Sequence, residues 1–184
     1  MRCKTVLFSA LALIMLAAVP AMARDRPNPF SSGEASLAYA VDPGCLTWLR
    51  LGEDIKTTLD HASRPVTEDG KEVRKVYGMG HVTVRTDANG GCYIRARYGD
   101  PVKMRNVVVN TLAESGLKVE RLPANAALAG REWAFHNEVD CFRMYDRVYL
   151  VEIYGATTRR ELALQATLFR DTEGLAAKDG LCQA

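Results

Sequence analysis

Arg85, Arg95 and Arg97 lie within a short stretch that also holds His81 and Tyr93. On a β-hairpin the three guanidiniums share one face with Thr83 and Tyr93, and His81 stands at its margin. Cross-strand neighbours lie about 5 Å apart at Cβ, and like charges directly opposite repel. Guanidiniums that close need acids or an anionic ligand to answer them. Arginine's planar fork takes carboxylate or phosphate bidentately, and arginine with tyrosine is favoured at protein interfaces. The pattern predicts an anion- or protein-binding patch of Arg85, Tyr93, Arg95, Arg97 and His81, with Tyr145 and Tyr154 lining the same open face. The competing arrangement is a solvated face whose arginines pair with Glu132 or Glu152 from later strands.

Other chemistry finds little support. His61, His81 and His136 have no second ligand at metal spacing, so no metal site is expected. No G-x-S-x-G elbow, P-loop or G-x-G-x-x-G opens a helix. The carboxylates are many, and no spacing singles out a catalytic pair. No cofactor is implied.

The cysteines carry a clearer message through the first 23 residues, MRCKTVLFSALALIMLAAVPAMA. Arg2 and Lys4 precede an apolar run, and Ala21-Met22-Ala23 forms a small-x-small site after Pro20. These are the parts of a secretory signal, with cleavage expected after Ala23. The run is short of the roughly 20 residues a bilayer span needs. Cleavage would carry away Cys3, leaving Cys45, Cys92, Cys141 and Cys182. An even set in an exported chain predicts two disulfides. Cleavage would also change the charge. The chain has 24 basic and 22 acidic residues, and losing Arg2 and Lys4 leaves 22 of each. A global basic field for nucleic acid is therefore not expected.

Several elements must position these groups. Residues 24–36, rich in proline and small polar types, read as a flexible leader, and 37–184 as one domain of ordinary size. Asp42-Pro43 signals a helix start, and the spacing of Trp48, Gly52, Ile55, Leu59 and Ala62 predicts a helix reaching Ala62. Ser63 to Lys71 reads as a loop. Cys92, Ile94 and Ala96 alternate with Tyr93, Arg95 and Arg97, which is a half-buried strand. A three-residue loop, Ala88-Asn89-Gly90, sets Val84 opposite Ile94 and Thr83 opposite Arg95, with Gly90 supplying a left-handed bulge position.

Asp100-Pro101 opens a second helix whose apolar side is Val102, Val108, Val109, Leu112 and Ala113, and Gly116 closes it. Leu117–Leu122, Glu132–His136, Asp140–Tyr145 and Val148–Tyr154 read as strands, with Trp133 and Phe135 facing the core. A turn at Asp146-Arg147 pairs Met144 with Tyr149, Phe142 with Val151 and Asp140 with Ile153. Thr158 to Glu161 matches a capping box, which predicts a last helix carrying Leu162, Gln165, Ala166 and Phe169 and ending near Gly174.

Together these predict an α+β domain, mostly antiparallel, with helices on one face of the sheet. Cys92 falls on the core face and Cys45 beside the first helix's apolar stripe. Cys141 falls on the opposite face, where a tail bearing Cys182 can reach it. The expected bridges are Cys45–Cys92 and Cys141–Cys182. The expected function is a periplasmic or secreted, non-enzymatic binding domain with a protein partner in the envelope or outside the cell. An envelope binder of small molecules or anions, and a small secreted hydrolase, are the alternatives.

Overall fold

A computed structural model describes residues 31–123, 136–155 and 163–183. Eight antiparallel strands form one sheet in the order β1-β2-β3-β4-β8-β7-β6-β5. They are β1 (Ser63–Glu68), β2 (Lys71–Val76), β3 (Val82–Thr86), β4 (Cys92–Ala96), β5 (Val119–Arg121), β6 (His136–Met144), β7 (Arg147–Gly155) and β8 (Leu164–Arg170). The helices are α1 (Gly33–Tyr39), α2 (Leu46–Leu51), α3 (Ile55–Thr58), α4 (Pro101–Glu114) and α5 (Leu175–Lys178). The α+β class and antiparallel sheet agree with the sequence pattern. Among the described residues, no helix is long and apolar enough to cross a membrane.

The alternation of strand residues decides what the sheet buries. Val82, Val84, Cys92, Ile94, Ala96, Leu164, Ala166, Leu168, Val151 and Ile153 all point to one side and are buried there. Helix α1, the turn Ala40–Cys45 and α4 supply the opposing apolar surface through Leu37, Val41, Cys45, Met104, Val108 and Leu112. Each fully buried aliphatic side chain contributes roughly 1.5–3 kcal/mol of transfer free energy. A smaller cluster lies across the sheet, where α5 and the tail cover Cys141, Leu150 and Val139 with Leu175, Ala176 and Cys182. One disulfide serves each side. Cys45–Cys92 ties the turn after α1 to β4, and Cys141–Cys182 ties the tail to β6.

Helix α4 follows its signals. The Asp100 carboxylate accepts from the Val102 and Lys103 N–H groups, both at 2.9 Å, satisfying two donors a helix start leaves open. Its buried residues are Met104, Val108, Thr111 and Leu112. Val102, expected on the apolar side, is exposed.

Other elements depart from the pattern. The helix expected from Asp42 to Ala62 is broken into α2, α3 and the short turn Asp60–Ala62. Asp42 itself is not helical (φ −136°, ψ 117°), and the Asp42–Pro43 bond is cis. Gly52, expected within the apolar stripe, adopts φ 69° and ends α2. The leader expected through Ser36 overlaps α1, which Ser32 caps by accepting from Ala35 N–H at 3.0 Å. Ser36 is fully buried and donates to the Tyr77 carbonyl at 3.0 Å. The expected loop Ser63 to Lys71 is instead the β1–β2 hairpin, turning on Asp69-Gly70 with φ 50° and 72°.

The expected last helix is corrected most sharply. Gln165, Ala166 and Phe169 belong to β8, between β4 and β7. Leu164, Ala166 and Leu168 alternate inward, so the period is two. Leu162 and the capping box Thr158–Glu161 lie outside the described residues, as do Trp133, Phe135 and the strand expected at Glu132, of which His136 begins β6.

The β6–β7 hairpin is also shifted. Met144 pairs with Arg147 and Phe142 with Tyr149, so the turn is Tyr145-Asp146, one residue earlier than expected. A two-residue slip preserves every side chain's face. It brings the Phe142 and Tyr149 rings into a stack at 5.4 Å, which the expected register would not.

Candidate functional site

The expected β3–β4 register is present: Val84 pairs with Ile94, Thr83 with Arg95 and Arg85 with Tyr93. The three-residue loop follows. Asp87 N–H donates to the Gly91 carbonyl at 3.0 Å, Gly90 N–H donates to the Asp87 carbonyl at 3.2 Å, and Gly90 adopts φ 84°. Thr83, Arg85, Tyr93, Arg95 and Arg97 therefore share the sheet face that α1 and α4 leave uncovered.

The acids that meet these arginines come from the unforeseen hairpin. Arg95 pairs with Asp69 at 3.1 Å and Arg97 with Glu68 at 3.4 Å. Glu68 also accepts from the Thr83 hydroxyl at 3.1 Å. The Asp69-Gly70 dipeptide between two β-type runs was the signal that could have placed both acids. Arg85 is met differently: its guanidinium lies over the Tyr93 ring, 4.0 Å from the centroid.

Tyr93 is fixed from its other end. Its hydroxyl donates to Asp87 Oδ2 at 2.7 Å, while Asp87 Oδ1 accepts from the Asn89 and Gly91 N–H groups. Partial burial opposes ionisation of Asp87. The Tyr93 hydroxyl, the two N–H groups and Arg85 outweigh it and hold the carboxyl below its usual range. The Tyr93 hydroxyl is correspondingly raised, first by its bond to Asp87 and then by burial.

Beside Tyr93 the open face sinks into a cleft of about 510 Å³. Its floor is Tyr93 and Arg95 from β4, Thr167 and Phe169 from β8, and Leu150, Glu152 and Tyr154 from β7. Glu152 is buried and accepts from the Tyr154 hydroxyl at 2.9 Å. The turn at Asp87 to Gly91 makes one wall and the segment Arg170 to Leu175 the other. Asp171 fixes that second wall by accepting from the Leu175 and Ala176 N–H groups at 2.9 and 3.0 Å. Thr167, Phe169 and Asp171 carry no local site signal, because the residues of β8 also fit the helical spacing that predicts a last helix there.

Arg85, Tyr93 and Arg95 line a second, smaller hollow of about 130 Å³ against Glu68, Asp69 and Lys71. His81 and Arg97 line neither hollow. They stand at the far corner of the face, where His81 packs near Tyr98 at 6.2 Å between ring centroids. Burial, followed by the charges of Lys75 and Arg97, lowers the pKa of His81. Tyr154, expected on the open face, lines the cleft there, whereas Tyr145 sits exposed in the β6–β7 turn.

Two further groups serve the fold. Arg121 donates to Asp140 and Glu138, and Arg105 donates to Glu138 at 2.7 Å, on the helix side of the β5–β6 edge. Burial raises the Asp140 carboxyl, and Arg121 opposes that rise. Glu120 lies against Cys141 and Cys182, but those sulfurs are joined to each other and Glu120 accepts from Cys182 N–H at 2.5 Å. No protein-family model, curated protein or solved structure matches the chain.

Proposed function

We propose that the chain is an exported, non-enzymatic binding domain that seats a protein partner on its open sheet face. The observation that carries this reading is the cleft floored by Tyr93, Phe169 and Glu152. Both of its walls are held from within, one by Asp87 and the other by Asp171. A rigid mouth of mixed aromatic and charged groups loses little entropy on binding. The same site offers tyrosine and arginine, the types that dominate interface energetics. Two disulfides and the signal-like first 23 residues support a location outside the cytoplasm.

The test is site-specific photo-cross-linking in the producing cell. A photoreactive side chain at position 93 should give a discrete adduct, and Arg95→Glu should remove it. The same probe at Lys103, on exposed α4 surface, should give none. Equal adducts from both positions, or none from position 93, would reject the proposal.

A further inference from the structure

We infer that the cleft beside Tyr93 receives an arginine side chain of the partner, whose guanidinium meets Glu152 at the floor. This rests on the reading of the cleft as the seat of a protein partner. Three arginines on one face point at first to an anionic ligand. Those arginines are met from within the fold, Arg95 by Asp69, Arg97 by Glu68 and Arg85 by the Tyr93 ring. The cleft next to them carries the opposite charge.

The strand register builds the floor. Tyr93 and Glu152 pair with Thr167 from opposite sides, so they stand two strand spacings, roughly 10 Å, apart. The short Thr167 side chain between them leaves the depression. Glu152 lines it at 4% exposure, and Tyr154 donates to its carboxylate at 2.9 Å. Two residues along the same strands, Leu150 pairs with Phe169, and both line the cleft. They offer an apolar flank for an aliphatic stem whose charged head reaches the carboxylate.

Charge selects the occupant. Among the described residues, Asp87, Glu152, Asp171 and Glu173 line the cleft against Arg95 and Arg170. The smaller hollow adds Glu68 and Asp69 against Lys71 and Arg85, so the excess of two carboxylates stands with either boundary. Asp87 and Asp171 accept from N–H and O–H groups that are themselves neutral and cancel no charge. A recess of carboxylates and aromatic rings suits a cation. Arginine suits it better than lysine, because the planar fork meets a carboxylate bidentately and stacks on rings. The Arg85 guanidinium over Tyr93 makes that kind of stack already. Arg95, its side chain 41% exposed, is left to meet backbone carbonyls beside the inserted arginine.

The test titrates the exported protein, with both disulfides formed, with N-acetylarginine methylamide and follows the backbone amides by NMR. The probe should move the amides of Tyr93, Thr167 and Phe169. The citrulline analogue, equal in shape but uncharged, and the glutamate analogue should not. Glu152→Gln should weaken probe binding roughly tenfold or more, the effect of losing a hydrogen bond to a charged group. Glu173→Lys, on the exposed wall, should weaken it about fivefold, the upper range for one exposed charge pair. That second variant decides the matter even if Glu152→Gln does not fold. An arginine probe that leaves those amides unmoved overturns the inference, as does equal binding of the citrulline analogue or affinity unchanged by Glu173→Lys. A position-93 adduct in the cell together with any of these results removes the arginine and leaves the protein partner. Probe binding without that adduct keeps the guanidinium site and refutes a protein as its source.

Discussion

Arg85 and Tyr93 face each other across the β3–β4 ladder, the guanidinium carbon 4.0 Å above the ring centroid, and the same ring is tethered to Asp87 by its hydroxyl at 2.7 Å. One aromatic side chain thus joins the arginine face to the hairpin turn. Tyr93→Phe keeps the stack and deletes the tether. The expected cost is about 1 kcal/mol of stability at neutral pH, read from the denaturant midpoint.

Asp87 gives that substitution a pH signature. Its carboxyl is held below the usual range in the folded state, despite partial burial. The stabilisation it supplies is complete above the unfolded value and is lost as pH falls through the folded one. Tyr93→Phe should therefore shift acid unfolding to higher pH. An unchanged acid transition would show that the Tyr93 hydroxyl does not hold Asp87 ionised.

His81 predicts a second pH effect, at milder acidity. Its pKa is lowered by burial, then by Lys75 and Arg97. A depressed folded value favours the neutral ring, so stability is full above the unfolded value and declines as pH falls through it. His81→Gln should flatten the thermal-midpoint profile between neutral pH and the acid side of histidine's range. An identical slope in wild type and variant would contradict this.

Arg95→Glu should leave the melting temperature nearly unchanged. Its partner Asp69 is a solvent-exposed acid, and such pairs contribute about 0–1 kcal/mol. A large loss of stability would mean that Arg95 serves the fold more than the cleft.

The strand β8 makes the strongest stability prediction. Leu168 is fully buried between Cys92 and Val151, and Ala166 between Ile94 and Ile153. Leu168→Ala should cost about 2–5 kcal/mol. Ala166→Leu has no room and should cost about 1–3 kcal/mol. Urea titration checks both, with the midpoint falling and the slope preserved.

The disulfides should separate by effect. They close loops of similar span, 47 and 41 residues, so chain entropy gives each about 4 kcal/mol. Cys141→Ala with Cys182→Ala should in addition loosen the segment that walls the cleft. Limited proteolysis should then cut near 171–183, whereas Cys45→Ala with Cys92→Ala should spare that site under native conditions.

Local chemistry was legible where one signal had one interpretation. Asp100-Pro101 capped a helix, the Cys92–Ala96 alternation set a strand, and parity alone chose the Ala88-Asn89-Gly90 loop. Parity also assigned Cys141 to the face away from Cys92, which gave the disulfide pairing. The failures arose where two periods fit the same residues. Gln165, Ala166 and Phe169 suit a helix, while Leu164, Ala166 and Leu168 suit a strand, and only the neighbours β4 and β7 decide between them. The cleft was invisible for the same reason, because its floor crosses three strands whose order no local pattern contains. The arginine partners Glu68 and Asp69 were hidden more simply, by an unrecognised Asp-Gly turn.

The place of β8 also governs how the sheet can come apart. In the sheet, strands β1 to β4 neighbour one another in chain order, as do β5 to β7, and β8 lies between the two sets. Until it docks, β4 and β7 each present an open row of backbone donors and acceptors, the sticky edge that recruits foreign strands. A lesion in this single strand would cleave the architecture into two half-sheets and leave each inviting the wrong neighbour. Misassembly between molecules, rather than simple unfolding, is then the failure to watch for.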